Sequence, residues 1–243
     1  MPSRPFVVVF TLVVAALLGA CSVKNAHSIN VSREGPTEIG KNDRVAVILA
    51  SYIDCENSKS PACDAPKESA SIESSFESCI GTAIRARVSS IVLLRAREVR
   101  EKVFPGMTFT DSPHTESDIL VALSDTATRT RMEALGLRYI LVLHVVTRDG
   151  DGKWGVDGSG GRDGGVIGLT QQWERRSDYR ALVVDIYEGK VAGTLEVSNA
   201  QHKAAGIGVA WIIPFPIFTV STVEFQTCRE LGLALGDFLN GQY

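Results

Sequence analysis

One stretch decides the fold: residues 138–147 read RYILVLHVVT, with a single polar side chain, His144, between Tyr139 and Val146. Aromatic and β-branched residues favour a strand, and apolar residues at successive positions indicate a strand covered on both faces. An amphipathic helix is predicted just before it, over Ser117–Leu135, with Gly136 placed to end that helix. We therefore expect a buried central strand with helices packed on its sheet.

The rest of the fold follows outward from this strand by apolar periodicity. We predict strands at Arg44–Ser51, Ile91–Leu94, Val166–Arg175, Asp178–Tyr187 and Lys190–Asn199, and helices at Lys67–Val88 and Glu224–Leu239. Glu188-Gly189 suits a tight hairpin turn. This order predicts an α+β fold with one mixed sheet of about six strands and helices packed on it. Residues 43–243 have the usual length of a single domain.

The amino terminus has the pattern of an export signal. Phe6–Leu18 is apolar except for Thr11. As a helix it spans only about 20 Å, short of the ~30 Å hydrocarbon core, so we interpret residues 1–20 as a signal peptide. The following Leu-Gly-Ala-Cys resembles the lipobox of bacterial lipoproteins, which implies that Cys21 carries fatty acyl groups such as palmitate. An ordinary secretory signal cleaved nearby is the alternative.

Lipidation would decide where the protein resides. Several long acyl chains hold a protein on a membrane essentially permanently. In the lipoproteins that this terminus resembles, an Asp after the Cys favours the inner membrane; Ser22 stands there, which implies an outer-membrane anchor with the domain facing the periplasm. Residues 21–42 are polar and lack periodicity, so we expect the lipidated Cys to be followed by a flexible tether.

Four cysteines remain for disulfide bonds: Cys55, Cys63, Cys79 and Cys228. An even number in an oxidising compartment favours disulfides, with three possible pairings. We prefer Cys55–Cys63, within one loop, and Cys79–Cys228, between two predicted helices. Metal ligation is the alternative, although no Cys-x-x-Cys pair or Cys/His cluster supports it, and we predict no metal site.

Two further segments support a family resemblance. The run LGLRYILVL at 135–143 and the hairpin VVDIYEGK at 183–190 occur within an α+β order. Over about residues 42–240 this pattern is similar to the amino-terminal domain of TolB and to the curli-secretion lipoproteins. The resemblance implies a non-enzymatic part of an envelope assembly. The chain departs from the curli-secretion family because its sequence shows no paired amphipathic β-hairpins.

Candidate catalytic and ligand-binding residues have structural explanations. His114, Glu116 and Asp118 alternate near a helix start, where carboxylates are explained by capping and the helix dipole, with metal binding as the alternative. Strand alternation places His144 on one sheet face, where a hydrogen-bonded histidine is favoured over a ligand. Asp185 is interpreted as a hydrogen-bonding residue, or alternatively as a cleft residue. We predict no catalytic residue and no cofactor.

The glycine-rich run DGDGKWGVDGSGGRDGG at 149–165 is predicted to be a flexible surface loop. Its Asp-Gly-Ser-Gly-Gly differs from the serine-protease signature, with no suitable histidine to serve as base. Its aspartates do not match a calcium loop, because Lys153 stands at the third ligand position.

The apolar run GIGVAWIIPFPIFTV at 206–220 is the candidate partner surface. Its prolines exclude a central strand and a transmembrane helix. We expect this run to be buried in the core; the alternative is an exposed patch, on which Trp211, Ile213, Phe215 and Phe218 are the candidate contacts with a partner or the membrane.

Charge narrows the functional classes. The net charge is −3, with no basic stripe, which argues against nucleic-acid binding. We expect a non-catalytic envelope lipoprotein, held by its lipid, that scaffolds or binds another envelope protein and is able to oligomerise. The alternatives are a periplasmic hydrolase and a lipoprotein that binds a small ligand or metal.

Overall fold

The computed structural model describes residues 26–37, 39–40, 43–55, 70–107, 113, 115–161, 164–210, 213–218 and 222–243. Within these residues one mixed sheet has eight strands and is accompanied by five helices. The strands are β1 (Ala26–Arg33), β2 (Arg44–Cys55), β3 (Val92–Leu94), β4 (Leu137–Asp149), β5 (Lys153–Gly161), β6 (Gly164–Asp185), β7 (Lys190–Ala210) and β8 (Ile213–Phe218). The helices are α1 (Ala70–Arg87), α2 (Ala96–Val103), α3 (Glu116–Ser124), α4 (Thr126–Ala134) and α5 (Val223–Leu239). The predicted α+β class with a single mixed sheet is confirmed.

The strand order in the sheet is β1-β7-β6-β4-β2-β3, with β5 added beside β6 and β8 beside β7. β2 is parallel to both β3 and β4, and the remaining pairs are antiparallel. The parallel pairs are connected through helices, as such crossovers require. β4 therefore occupies the middle of the sheet, as its apolar sequence predicts.

Helices cover both faces of the sheet. Tyr139, Leu141 and Leu143 of β4 point to the core beneath α1 and α5, while Ile140 and Val142 point to a second core beneath α2, α3 and α4. All five side chains are essentially buried. Burial on both faces explains why β4 lacks the alternation of a half-exposed strand.

Helices α1 and α5 pack unusually close together. Gly232 and Gly236 of α5 face α1, and a Cβ added at Gly232 would lie 2.5 Å from the Cβ of Ala83. One turn earlier, Cys228 is joined to Cys79 by a disulfide with a Cα–Cα separation of 6.3 Å, which confirms the predicted bond. Small residues and a covalent link thus hold the two helices together.

The predicted single helix over Ser117–Leu135 is two helices. Asp125 ends α3 and caps α4, because its carboxylate accepts hydrogen bonds from the backbone N–H groups of Ala127 and Thr128. An aspartate is a strong N-cap, and here it interrupts an otherwise continuous apolar stripe.

The predicted tether is corrected for residues 26–33, which form β1 and pair antiparallel with β7. β1 is followed by contacts that fix the chain to the carboxyl-terminal helix: the Thr37 hydroxyl donates to the carbonyl of Phe238 at 2.6 Å. Ile29 and Val31 alternate with exposed polar residues, as in a strand with one face against the protein. Two apolar residues among polar neighbours are too few to predict a strand from the sequence.

The glycine-rich segment differs most from the sequence prediction. Instead of a loop, residues 153–161 form β5, which pairs with β6 from Lys153–Gln172 to Gly161–Gly164. β5 with β6 and β7 with β8 form two antiparallel hairpins that the sequence did not predict. Glycine still offers a full set of backbone hydrogen bonds, so a neighbouring strand can order it despite its entropy cost.

Prolines mark the outer strand of the second hairpin. Pro214 and Pro216 lie in β8, opposite Val209 and Ile207 of β7. A strand that contains proline is tolerated at a sheet edge, with the missing N–H on the side away from its partner. The prediction that these prolines exclude a central strand holds, because β8 pairs only with β7 among the described strands.

Candidate functional site: an apolar arm

Four strands continue beyond the helix-covered body of the sheet. We call this extension the arm, and define it as β5, residues 164–172 of β6, residues 204–210 of β7, and β8. Its strand order is β5-β6-β7-β8, and all its pairs are antiparallel. The arm contains the glycine-rich segment and most of the predicted partner surface.

One face of the arm presents exposed apolar side chains. Val156, Leu169 and Ile207 lie opposite one another on three adjacent strands, with 71%, 54% and 61% of their surface exposed. Trp154 lies two residues from Val156 on the same strand and is 66% exposed. We call these four residues the apolar row. Contiguous exposed apolar side chains mark interaction surfaces more often than isolated ones do.

The predicted partner residues map to the same arm. Ile213, Phe215 and Phe218 belong to β8, where they stand in register with Ala210, Gly208 and Ala205 of β7. Trp211, the fourth predicted residue, lies outside the described residues, so the predicted contact role of these side chains stays a prediction.

A buried cluster of charges joins the arm to the body. Arg175 of β6 donates from Nη1 to Asp149 of β4 at 2.9 Å and from Nη2 to Asp54 of β2 at 2.8 Å. Its Nε donates to Glu224 of α5 at 2.9 Å, and Nη2 contacts the same carboxylate. Burial lowers the pKa of Arg175, but the hydrogen bonds to Glu224 and Asp149 outweigh it, so the pKa is raised. One guanidinium therefore joins four elements at the root of the arm.

Two tyrosines lie beside this cluster. Burial raises the pKa of Tyr52 to about 12, and the carboxylates of Asp54 and Glu224 add to the shift. Burial also raises the pKa of Tyr179, whose hydroxyl donates to the backbone carbonyl of Glu224 at 3.2 Å. Both phenols therefore stay neutral, and hydrogen bonding at the root of the arm is the role their geometry supports.

Asp185, a predicted hydrogen-bonding residue, has that role. One carboxylate oxygen accepts from Arg138 at 2.7 Å, and the other accepts from the backbone N–H groups of Tyr187 and Glu188 at 2.9 and 3.0 Å. The carboxylate thus closes the turn between β6 and β7, where Gly189 adopts a positive φ of 64°.

His144 lies on the face predicted by strand alternation, and its Nδ1 is 2.9 Å from the hydroxyl of Ser51. Burial lowers the pKa of His144, and the nearby Arg180 lowers it further. The ring is therefore neutral at pH 7. Asp185 of β6 is paired with Tyr139 of β4, which lies five residues from His144 and on the opposite face of the sheet. His144 and Asp185 are separated by about 17 Å or more. His144 and Asp185 therefore do not converge on one site.

A second buried ion pair connects the helices on opposite faces of the sheet. Arg100 of α2 donates from Nη1 to Glu73 of α1 at 2.9 Å, with a second contact from Nη2, and the backbone N–H of Leu49 donates to the same carboxylate at 3.2 Å. Both side chains are buried. The pair lines a cleft of about 580 Å³. Because each charge is neutralised by the other, the arrangement is a structural link.

The other predicted site residues have mixed outcomes. Asp118 forms a reciprocal capping box with Thr115, as expected at a helix start, while His114 lies outside the described residues. Cys55 is disulfide-bonded. Its predicted partner Cys63 lies outside the described residues, as does Cys21. The described residues contain no group of three or more His, Cys, Asp or Glu side chains arranged to hold a metal ion.

Within the described part of the chain, no helix combines the length and apolar character that crossing a membrane requires.

Comparisons with known proteins give distant structural likenesses. No family model and no curated protein matches the chain. A PelC dodecamer from Paraburkholderia phytofirmans is 11% identical, with 90% of this chain and 100% of that one covered and a TM-score of 0.33. A neuraminyllactose-binding hemagglutinin homolog from Helicobacter pylori is 10% identical, covering 85% and 90%, with a TM-score of 0.36. Lipoprotein GNA1162 from Neisseria meningitidis is 13% identical, covering 79% and 96%, with a TM-score of 0.28.

These likenesses include one lipoprotein. The resemblance to TolB and the curli-secretion lipoproteins stays a prediction.

The apolar row and the charge cluster were not predicted from the sequence. Trp154 and Val156 alternate as the apolar residues of one strand face do. The glycines between and around them made this segment resemble a loop. The signal for the cluster was weaker. Arg175 lies up to 121 residues from its three carboxylates along the chain, and only the folded sheet brings them together.

Proposed function

We propose that this chain is a non-catalytic envelope lipoprotein, anchored through Cys21 in the outer membrane with its domain facing the periplasm. Its role is that of a scaffold or binding module in an envelope assembly. The observation that carries this proposal is the apolar row: Trp154, Val156, Leu169 and Ile207 are each more than half exposed on the arm. A sheet face of this kind favours contact with the envelope, either with another protein or with the membrane surface, over contact with solvent.

Two further observations support the proposal. The Cys79–Cys228 disulfide suits an oxidising compartment such as the periplasm. The buried charges of Arg175, Arg100 and Asp185 are each paired with opposite charges inside the domain, an arrangement that builds structure rather than activating a reacting group.

Cross-linking in intact cells tests the proposed function. We expect cross-linked complexes with other envelope proteins, or with further copies of the chain, in the outer-membrane fraction. Cys21→Ser should move the protein out of that fraction, because it removes the acyl groups. Cys79→Ser with Cys228→Ser serves as the control that retains the anchor. Recovery of uncross-linked monomer alone would contradict the binding role, and an unacylated Cys21 would contradict the placement.

The alternative, a periplasmic hydrolase, has one specific observation in its favour. Ser51 and His144 form a hydroxyl–imidazole pair at an irregularity in the pairing of β2 with β4, and strand irregularities occur near active sites. Treatment with a fluorophosphonate probe separates the two functions. A binding module stays unlabelled, whereas labelling that Ser51→Ala abolishes would favour the hydrolase.

A further inference from the structure

We propose that the surface covering the apolar row is the phospholipid bilayer that holds the acyl anchor. This inference rests on the proposed lipidation of Cys21 and goes beyond it, because it assigns the arm a direct contact with lipid. Four features support this contact: the direction of β1, the chain length before it, the chemistry of the row and the prolines at the β8 edge of the arm.

The direction of β1 places the anchor on the side of the arm. β1 runs antiparallel to β7, with Ala26 opposite Ala200 and Arg33 opposite Gly193. Moving back along the chain from Arg33 to Ala26 therefore means moving along β7 toward the arm. β1 therefore begins, at Ala26, at the end of the strand that is nearer the arm.

Chain length limits how far the anchor lies from the apolar row. Cys21 precedes Ala26 by five residues (26 − 21), which reach at most about 18 Å. Along β7, Ala205 lies five residues beyond Ala200, about 17 Å, and it is level with Trp154 through Gln171. A lipid attached at Cys21 can therefore reach the level of Trp154 but cannot hold the arm far from the membrane.

The chemistry of the row suits the membrane interface. Trp154 is an amphipathic ring, the side-chain type enriched where hydrocarbon meets headgroups. Val156, Leu169 and Ile207 add apolar surface on the same face of a sheet whose strands pair with one another. Shallow insertion by such a face gains affinity in proportion to the apolar area buried, and an acyl anchor supplies a high effective concentration.

A protein strand is a less suitable occupant for the edge beside this face. β8 contains Pro214 and Pro216, which remove two backbone donors from a strand at the edge of the arm. Prolines at an edge oppose the addition of a further strand from another chain. A fluid lipid surface needs no backbone hydrogen bonds and can cover the face directly.

Site-specific photo-cross-linking tests the inference on the lipidated protein in cells. Benzoylphenylalanine replaces Leu169 in the row or, as a matched control, Val121 of α3, which is 69% exposed on a helix over the opposite face of the sheet. We expect phospholipid adducts by mass spectrometry at position 169 and at least about tenfold fewer at position 121. Adducts to another protein or a second copy at position 169, or equal lipid labelling at both positions, would overturn the inference.

A vesicle assay separates this contact from the anchor. The mature chain with Cys21→Ser is mixed with vesicles of phosphatidylethanolamine and phosphatidylglycerol. We expect weak binding that changes little with salt and falls at least about tenfold when Val156, Leu169 and Ile207 are changed to Ser, with unchanged circular dichroism. Val121→Ser should bind like the parent. Equal partitioning of the triple variant and its parent refutes the lipid contact, whereas acylation and cross-linked complexes would still support the proposed function.

Discussion

Replacing Gly232 with Ala probes the close approach of α1 and α5. The added Cβ would lie 2.5 Å from the Cβ of Ala83 and 2.9 Å from the carbonyl oxygen of Ile80. Carbon atoms normally pack about 3.5–4.0 Å apart, so the helices must separate by about 1 Å while the disulfide resists the movement. Overpacking costs about 1–3 kcal/mol, and replacing a helical Gly by Ala returns about 1 kcal/mol. We expect a net loss of about 1 kcal/mol in the free energy of unfolding.

Gly81→Ala in α1 is the matched control. There the added Cβ meets the Cδ1 of Leu93 at 2.6 Å, which is the free end of a half-buried, flexible side chain. The contact is relieved by rotation, so the helix-propensity gain of up to about 1 kcal/mol should remain. Urea unfolding followed by circular dichroism measures both variants, with about 2 kcal/mol expected between them. Equal midpoints, or a more stable Gly232→Ala, would refute the packing argument.

Three further predictions concern the buried groups. Glu73→Ala should lower the free energy of unfolding by about 3–5 kcal/mol, because it leaves Arg100 buried without its partner. Glu101→Ala on the exposed side of α2 should lower it by less than about 1 kcal/mol. Urea unfolding distinguishes the two variants, and similar losses would contradict a buried pair. Burial lowers the pKa of His144 below its unfolded value, so its contribution to stability is present above about pH 6.5 and is lost as the pH falls. His144→Gln should therefore flatten the pH dependence of the unfolding midpoint between about pH 7 and 5. An unchanged slope would exclude this histidine as the source of the pH dependence. Serine at both positions of the disulfide between α1 and α5 should cost about 2–5 kcal/mol, because the bond closes a loop of 149 residues, and an unchanged midpoint in urea would show that the bond adds nothing.

The sequence predicted the body of the fold well, for a physical reason. The spacing of apolar residues indicates which side of a segment is buried. Residues 138–147 are apolar throughout because both faces of the strand are buried, and the carboxyl-terminal helix has one apolar stripe because one side is buried. The disulfide between Cys79 and Cys228 was predictable for the same reason, since the two helices that carry them have complementary apolar stripes.

The arm was not predictable from local sequence. Glycine has no side chain to show a period, so Gly155 and its neighbours look like a loop although their backbone joins a ladder. β1 is a strand only because β7 offers it a long neighbour, a tertiary effect that overrides its polar composition. The cluster around Arg175 depends on contacts between four separate elements, and no local pattern records such contacts.

The prolines of β8 have a consequence for the proposed anchoring of the protein at a bilayer. Such anchoring would confine every copy to a plane, so molecules would meet far more often than in free solution. Under such crowding, a long strand with a complete set of outward donors would act as a seed for fibrous stacking. Two missing donors interrupt that template at the β8 edge of the arm, so the proposed anchored molecules would polymerise less readily along that edge.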